Sequence, residues 1–240
     1  MNVVCFRYFG KVGHFLRAEA NANGITYPVP PRTVLLGLVG AVLGLEKDEP
    51  QTRLAEASLA VGGSLPKRFW HKTIVRKVPP APLDRSINRR IKAREPAKEK
   101  PFRFPQEWLW QPDFRVWASL PDEFHTDFSS RLKEHRWHFT PCLGLAGMLA
   151  DLEWLGEHDS QQLPAGMHMV GSVVRRDAGE IDLAVACENQ LTLQSLRMPA
   201  DATADRVFAH RPYWVEFRGR PFPIRTDQAW QCGTDKVVFL

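Results

Sequence analysis

Cysteine is sparse and scattered in this 240-residue chain: Cys5, Cys142, Cys187 and Cys232 stand 45 to 137 positions apart, with no CxxC pair. No histidine falls at zinc-finger spacing from them, so neither a disulfide framework nor a structural zinc site is expected. The four read as reduced, mostly buried thiols of a cytoplasmic protein. Long apolar runs are missing too. The uncharged stretch that begins at Val34 lasts about 12 residues, well short of the roughly 20 that cross a bilayer. Residues 1–9 alternate into a charged segment instead of forming a basic, apolar, small-residue leader, so secretion is not expected either. Gly37, Gly40 and Gly44 lack the GxxxxGK[ST] pattern of a nucleotide-hydrolysing loop. Asp151 and Glu153 have no further acid or histidine close in sequence to complete a metal site, and they read as surface charge. No internal repeat or low-complexity tract is evident. No cofactor and no metal are expected.

What the chain does have is a core and a concentrated charge. A hydrophobic content of 44% is ample for one large domain or two small ones. The net charge is only +5, but between Pro66 and Arg115 fourteen Lys or Arg face five acids, a local +9 that leaves −4 for the rest. Such concentration is the electrostatic footprint of a polyanion site, because neutralising phosphates releases condensed counterions. A membrane-surface helix is ruled out for this segment by prolines at 79, 80, 82, 96, 101 and 105.

Residues 2–9 alternate apolar and polar and predict a strand, followed by a polar loop from Gly10 to Gly24. Pro28, Pro30 and Pro31 hold an extended segment, and a helix follows over about 32–44. Gly37, Gly40 and Gly44 fall at i, i+3 and i+7 and share one helix face, which predicts a close neighbour, a β-sheet, against all three. Residues 54–65 and 69–78 read as strands, the second basic on both parities. From Pro79 to Pro105 the sequence is Pro- and Arg-rich and poor in apolar residues, which predicts a protruding arm, partly disordered without a ligand. Strand character returns at 108–110 and 114–118. Phe124, Phe128 and Leu132 at i, i+4 and i+8 predict a helix over 121–135. Residues 139–144 read as a turn, and 149–156 as a short helix feeding a strand. The order strand, helix, two strands separated by an arm, helix, strand is that of an α+β, ferredoxin-like domain over 1–157, with an insertion at about 70–116. The remainder, 158–240, reads as β-rich, with strands at 167–175, 181–186, 191–197, 207–218 and 234–240.

Three segments, Phe15-Leu16-Arg17, the run Thr26 to Thr33 (TYPVPPRT) and the run Gly37 to Gly44 (GLVGAVLG), resemble the amino-terminal signature of the CRISPR-associated Cas five family. These are RAMP-superfamily subunits of type I Cascade complexes, and the likeness is greatest to the type I-B group. Residues 139–146 and 151–156 are similar to the end of that family's first domain, so the resemblance spans about 1–156. It implies a non-catalytic subunit for antiviral defence, in the prokaryotic cytoplasm, that caps the 5′ handle of the CRISPR RNA and projects a β-hairpin thumb from a ferredoxin-like palm. The implied partners are that RNA, a backbone subunit (Cas seven type), a large subunit (Cas eight type) and, through the complex, target DNA. The basic arm lies where such a thumb would be inserted.

On the resemblance, Arg17 and the turn of Pro28 and Pro30 would lie near RNA, and Arg32 would begin the helix beneath it. Arg89, Arg90, Lys92 and Arg94 would ride on the thumb. The basic segment adds Lys72, Arg76, Lys77, Arg85, Lys98 and Lys100 as phosphate contacts, with Tyr27, Trp70 and Phe102 as faces on which splayed bases could stack. The bland alternative makes Trp70, Trp108, Trp110 and Trp117 core residues, because apolar neighbours flank most of them. Two further functions stay open. One is the metal-independent endoribonuclease of the type I-C subunit, for which Tyr27, His71 and Lys72 could supply base, acid and cation, with His135 and His138 as another pair. The other is a stand-alone RRM-like RNA binder.

Overall fold

The computed structural model describes residues 1–17, 20, 23–75, 102–203 and 205–240. Strand β1 (Asn2–Gly10) leads through three short strands, β2 (Val12–Gly13), β3 (Phe15–Leu16) and β4 (Thr26–Tyr27), into helix α1 (Arg32–Leu43). The sequence showed only a polar loop over β2 and β3, because two-residue strands have no periodicity to read. After α2 (Glu49–Arg53) come β5 (Ser58–Gly62), β6 (Lys67–Val75), β7 (Phe102–Trp110), β8 (Asp113–Ser119), helix α3 (Asp122–Lys133) and β9 (Ala150–Asp159). The central sheet runs β5-β8-β1-β9, all antiparallel. With α1 and α3 on one face, this is the ferredoxin-like βαββαβ arrangement, the fourth strand beside the first and the third beside the second. The β6–β7 hairpin is the insertion between its second and third strands.

Period-two alternation builds the palm. Val4, Phe6 and Tyr8 of β1, Phe114, Val116 and Ala118 of β8, and Leu59 and Val61 of β5 are buried toward the helices. Phe128 of α3 meets Phe6 edge-on, ring centroids 5.7 Å apart. The same core takes in Leu196, Met198, Tyr213 and Val215 from beyond residue 157.

The β-rich remainder comprises β10 (Gln161–Gln162), β11 (Gly166–Val170), β12 (Val174–Arg175), β13 (Glu180–Ile181), helix α4 (Leu183–Glu188), the long ribbon β14 (Leu193–Ala202) with β15 (Phe208–Glu216), and β16 (Phe222–Thr226), β17 (Ala229–Cys232) and β18 (Asp235–Val238).

Three expectations are corrected. The stretch 149–156 holds no helix and is strand from Ala150 on: Leu152 is buried while Asp151 and Glu153 flank it outward, a period of two that an apolar-acidic run disguised. The predicted strand at 181–186 is replaced over 183–188 by α4, whose Asp182 side chain accepts from the Val185 amide at 3.1 Å and caps the helix. The glycines of α1 do not share a neighbour. Gly37 faces open space, Gly40 abuts Pro50 of α2, and Gly44 is the left-handed C-cap at φ 85° packed on His138. Of the cysteines, Cys5 and Cys232 are buried, Cys142 half-buried and Cys187 exposed. Among the described residues no helix is long and apolar enough to cross a membrane.

One carboxylate fastens α3 to the sheet. Glu157 accepts from Ser129 Oγ at 2.7 Å, Lys133 Nζ at 3.2 Å and Asn2 Nδ2 at 2.6 Å. The Ser129 hydroxyl first, then Lys133 and Asn2, hold its carboxyl down at about 2 against the opposing effect of burial. A folded-state pKa below the ordinary 4.5 means that this stability is present above pH 4.5 and lost as the pH falls toward 2. Glu157→Gln is therefore expected to lower the urea midpoint at pH 7 and to flatten the acid loss of stability. An unchanged acid profile would remove Glu157 from it.

Candidate nucleic-acid interface

The inserted hairpin is paired without a break from Lys67↔Trp110 to Val75↔Phe102. Residues directly opposite one another share a face, so the hairpin sorts its side chains into two sets. One set is Arg68, Trp70 and Lys72 with Leu109, Glu107 and Pro105. At its base Leu109 is buried, and Glu107, only 8% exposed, is a hub. Its carboxylate accepts from the Thr26 amide at 3.1 Å and pairs with Arg68 at 3.4 Å, and its own amide donates to Gly24 O at 2.7 Å. These bonds seat the residues before β4 on the hairpin. Farther out Trp70 is 56% exposed, and Lys72 and Arg103 are exposed. The other set is Lys67, Phe69, His71 and Thr73 with Trp110, Trp108, Gln106 and Phe104. His71 stacks on Trp108 at 4.0 Å and 24°, and Phe69 sets its edge to Trp108 and Trp110 at 6.0 and 5.9 Å.

Several predicted site residues are spoken for. Tyr27, 2% exposed, lies in β4 opposite Phe15 with the Arg17 guanidinium 5.4 Å from its ring centroid, so it presents no face to a base. Pro28 and Pro30 are buried. Arg32 is 8% exposed; it pairs with Asp201 at 2.8 Å and donates to Ala55 O at 2.7 Å and Ala57 O at 3.1 Å. Its position at the first turn of a helix gave no hint that two backbone carbonyls would claim it. These four belong to the floor beneath the surface. Arg17, half-buried, remains at the surface beside Leu16. Loop 144–147 next to β3 is exposed, and Gly144 at φ 92° passes so close to His14 O that any side chain would collide. Arg76, Lys77, Arg85, Arg89, Arg90, Lys92, Arg94, Lys98 and Lys100 lie outside the described residues, and Phe102 is placed by its backbone alone.

The alternative catalytic set is not assembled. His71 and Lys72 are neighbours on one strand and point to opposite faces, and Tyr27 is enclosed. His135 and His138 pack edge-on against Trp137 and Phe139. Among the described residues no three His, Cys, Asp or Glu gather as metal ligands.

The open face of the palm sheet is occupied as well. Val3, Cys5, Ala60 and Trp117 pack under Cys232 and Val237 of the last hairpin. Beyond them Arg7 forms a two-pronged bond to Asp113 at 2.8 and 2.7 Å and reaches Glu153 at 3.1 Å, while Arg115 holds Asp235 at 2.9 Å. Burial pushes the Cys5 thiol up to about 12. An RRM-like binder stacks bases on this face of its sheet. Here a protein segment and internally neutralised charges cover it.

A ferredoxin-like palm with a hairpin between its second and third strands is the architecture that the resemblance to RAMP-type proteins leads one to expect. The sequence model of the family described as CRISPR-associated protein (Cas_Cas5) matches residues 3–177, and the chain belongs to that family. Its fold is similar to a solved structure described as a CRISPR RNA-guided surveillance complex, at 15% identity and a TM-score of 0.54 over 92% of this chain and 91% of that one. It is also similar to a CRISPR protein from Archaeoglobus fulgidus, at 14% identity and a TM-score of 0.55 over 99% and 98%. No curated protein matches the chain in sequence.

Proposed function

We propose that this chain is a non-catalytic CRISPR RNA-binding subunit of a type I Cascade complex, most like the type I-B group, and that it caps the 5′ handle of the guide. The observation that carries this reading is the inserted hairpin. It leaves Trp70, Lys72 and Arg103 exposed on the strands that flank residues 76–101, a stretch whose nine Lys or Arg and three acids give it a sequence charge of +6, whereas Arg7 and Arg115 on the sheet are already paired. Single-stranded RNA is held by such a combination of phosphate contacts and stacking faces. The neighbours in the complex would be the backbone and large subunits, with target DNA reached through them. The site residues of this proposal are Arg17, Trp70 and Lys72 together with the cations of 76–100.

The capping reading predicts that purified protein incubated with repeat RNA in EDTA shifts the RNA on a native gel and leaves it intact on a denaturing one. Site-specific cleavage that disappears in His71→Ala would replace the cap with a metal-independent ribonuclease.

A further inference from the structure

The hairpin face opposite Lys72 has no part in the reading above, yet it is the more aromatic of the two. Trp110 is 44% exposed, His71 is exposed, and Phe69 and Trp108 are half-buried. Their mutual contacts hold them as a rigid tier. The Trp108 indole N–H donates to Gln106 Oε1 at 3.1 Å and the Thr73 hydroxyl reaches the same oxygen at 3.3 Å, so the polar edge of Trp108 is satisfied; its ring backs the exposed His71, which stacks on it, and Trp110 stands exposed beside them. We propose that Phe69, His71, Trp108 and Trp110 form a stacking platform for unpaired nucleobases. This rests on the RNA-binding reading and adds a second contact surface to it.

Charge decides between RNA and a protein as the occupant. Lys67 stands directly opposite Trp110 on the same face, exposed and without an ion pair among the described residues. Lys11, also exposed, precedes the short strand that pairs with Trp110. An apolar platform rimmed by cations suits a ligand with π faces and a phosphate backbone, and aromatic rings fixed in advance lose little entropy on stacking. Phosphates would meet Lys67 and Lys11 at the rim while the bases lie across the aromatic rings.

The test uses the full chain, a short oligouridylate and the same oligomer with abasic sites. Wild-type protein should bind the oligouridylate about tenfold or more tightly than its abasic counterpart, the effect of losing roughly one to two stacked bases. Trp110→Ala should weaken that discrimination severalfold, with the remainder coming from His71 and from Trp70 on the other face, and should leave abasic affinity and salt dependence unchanged, while Trp110→Phe retains most of it. Equal binding of both probes by the wild type would overturn the platform even if Trp110→Ala failed to fold. Undiminished discrimination in a folded Trp110→Ala would overturn it too, as would normal RNA binding by that variant with loss of assembly onto a protein subunit. In all three cases the phosphate-binding role of the hairpin would stand. Binding of neither probe by the wild type would remove the RNA reading and the platform together.

Discussion

Gly40→Leu is expected to destabilise the protein by more than about 2 kcal/mol, with a clear fall in melting temperature. Gly40 sits inside α1, where a Cβ would collide with Pro50 Cγ and stand 3.0 Å from Pro50 Cβ. The obstacle cannot swing away, because a proline ring is tied to its own backbone, and Pro50 in turn opens α2. The carbonyl of Gly40 also accepts from the amides of Gly44 at 2.8 Å and Leu45 at 2.9 Å, so a shift of α1 at this point would disturb the cap that ends it. Gly37 is the control. It is exposed with nothing within 4 Å of its missing side chain, so Gly37→Ala should be neutral or stabilise the helix by up to about 1 kcal/mol. Thermal melts of the two variants, run side by side, check the close approach; equal melting temperatures would show that the α1–α2 contact does not constrain position 40.

The contrast between these glycines illustrates what could be read in the sequence. Spacing places Gly37, Gly40 and Gly44 on one face of a helix, and the helix forms, but spacing does not say what lies opposite. The neighbours turn out to be solvent, a proline and a histidine. Much of the palm was legible because β1 alternates cleanly and because Phe124, Phe128 and Leu132 repeat at helical intervals, so the βαββαβ order follows from pattern, whereas the insertion expected over about 70–116 ran into the third palm strand, β8, and β9 was disguised by its apolar-acidic run. Strands β16 and β17 escaped notice: Pro223 interrupts one and the other is four residues long.

The site was legible in charge and much less so in its side chains. Tyr27 and Arg32 carry the right chemistry for RNA, but burial and two backbone carbonyls withdraw them. The tryptophans show the reverse. Trp108 and Trp110 looked like core because apolar residues flank them; Trp108 is half-buried against the palm core, whereas Trp110, beside the buried Leu109, is 44% exposed, a difference that needs the register and its neighbours to be known. Trp117, weighed in the same way, is core, at 3% exposed.

The central claim is that the basic segment grips the phosphates of single-stranded guide RNA, and the salt dependence of binding tests it most directly. Single strands contribute about 0.7 to the slope of log affinity against log salt for each phosphate neutralised, so four contacts amount to about 3. The measurement compares the full wild-type chain with a variant in which Arg89, Arg90, Lys92 and Arg94 are all replaced by glutamine, titrated with guide RNA over about a tenfold range of salt. The variant is predicted to bind more weakly at low salt and to show a slope smaller by about 3, so that its affinity falls by roughly a thousandfold less than the wild type's across that range. A slope the same as the wild type's would contradict the account, because it would mean that the most cationic part of the chain touches no phosphate.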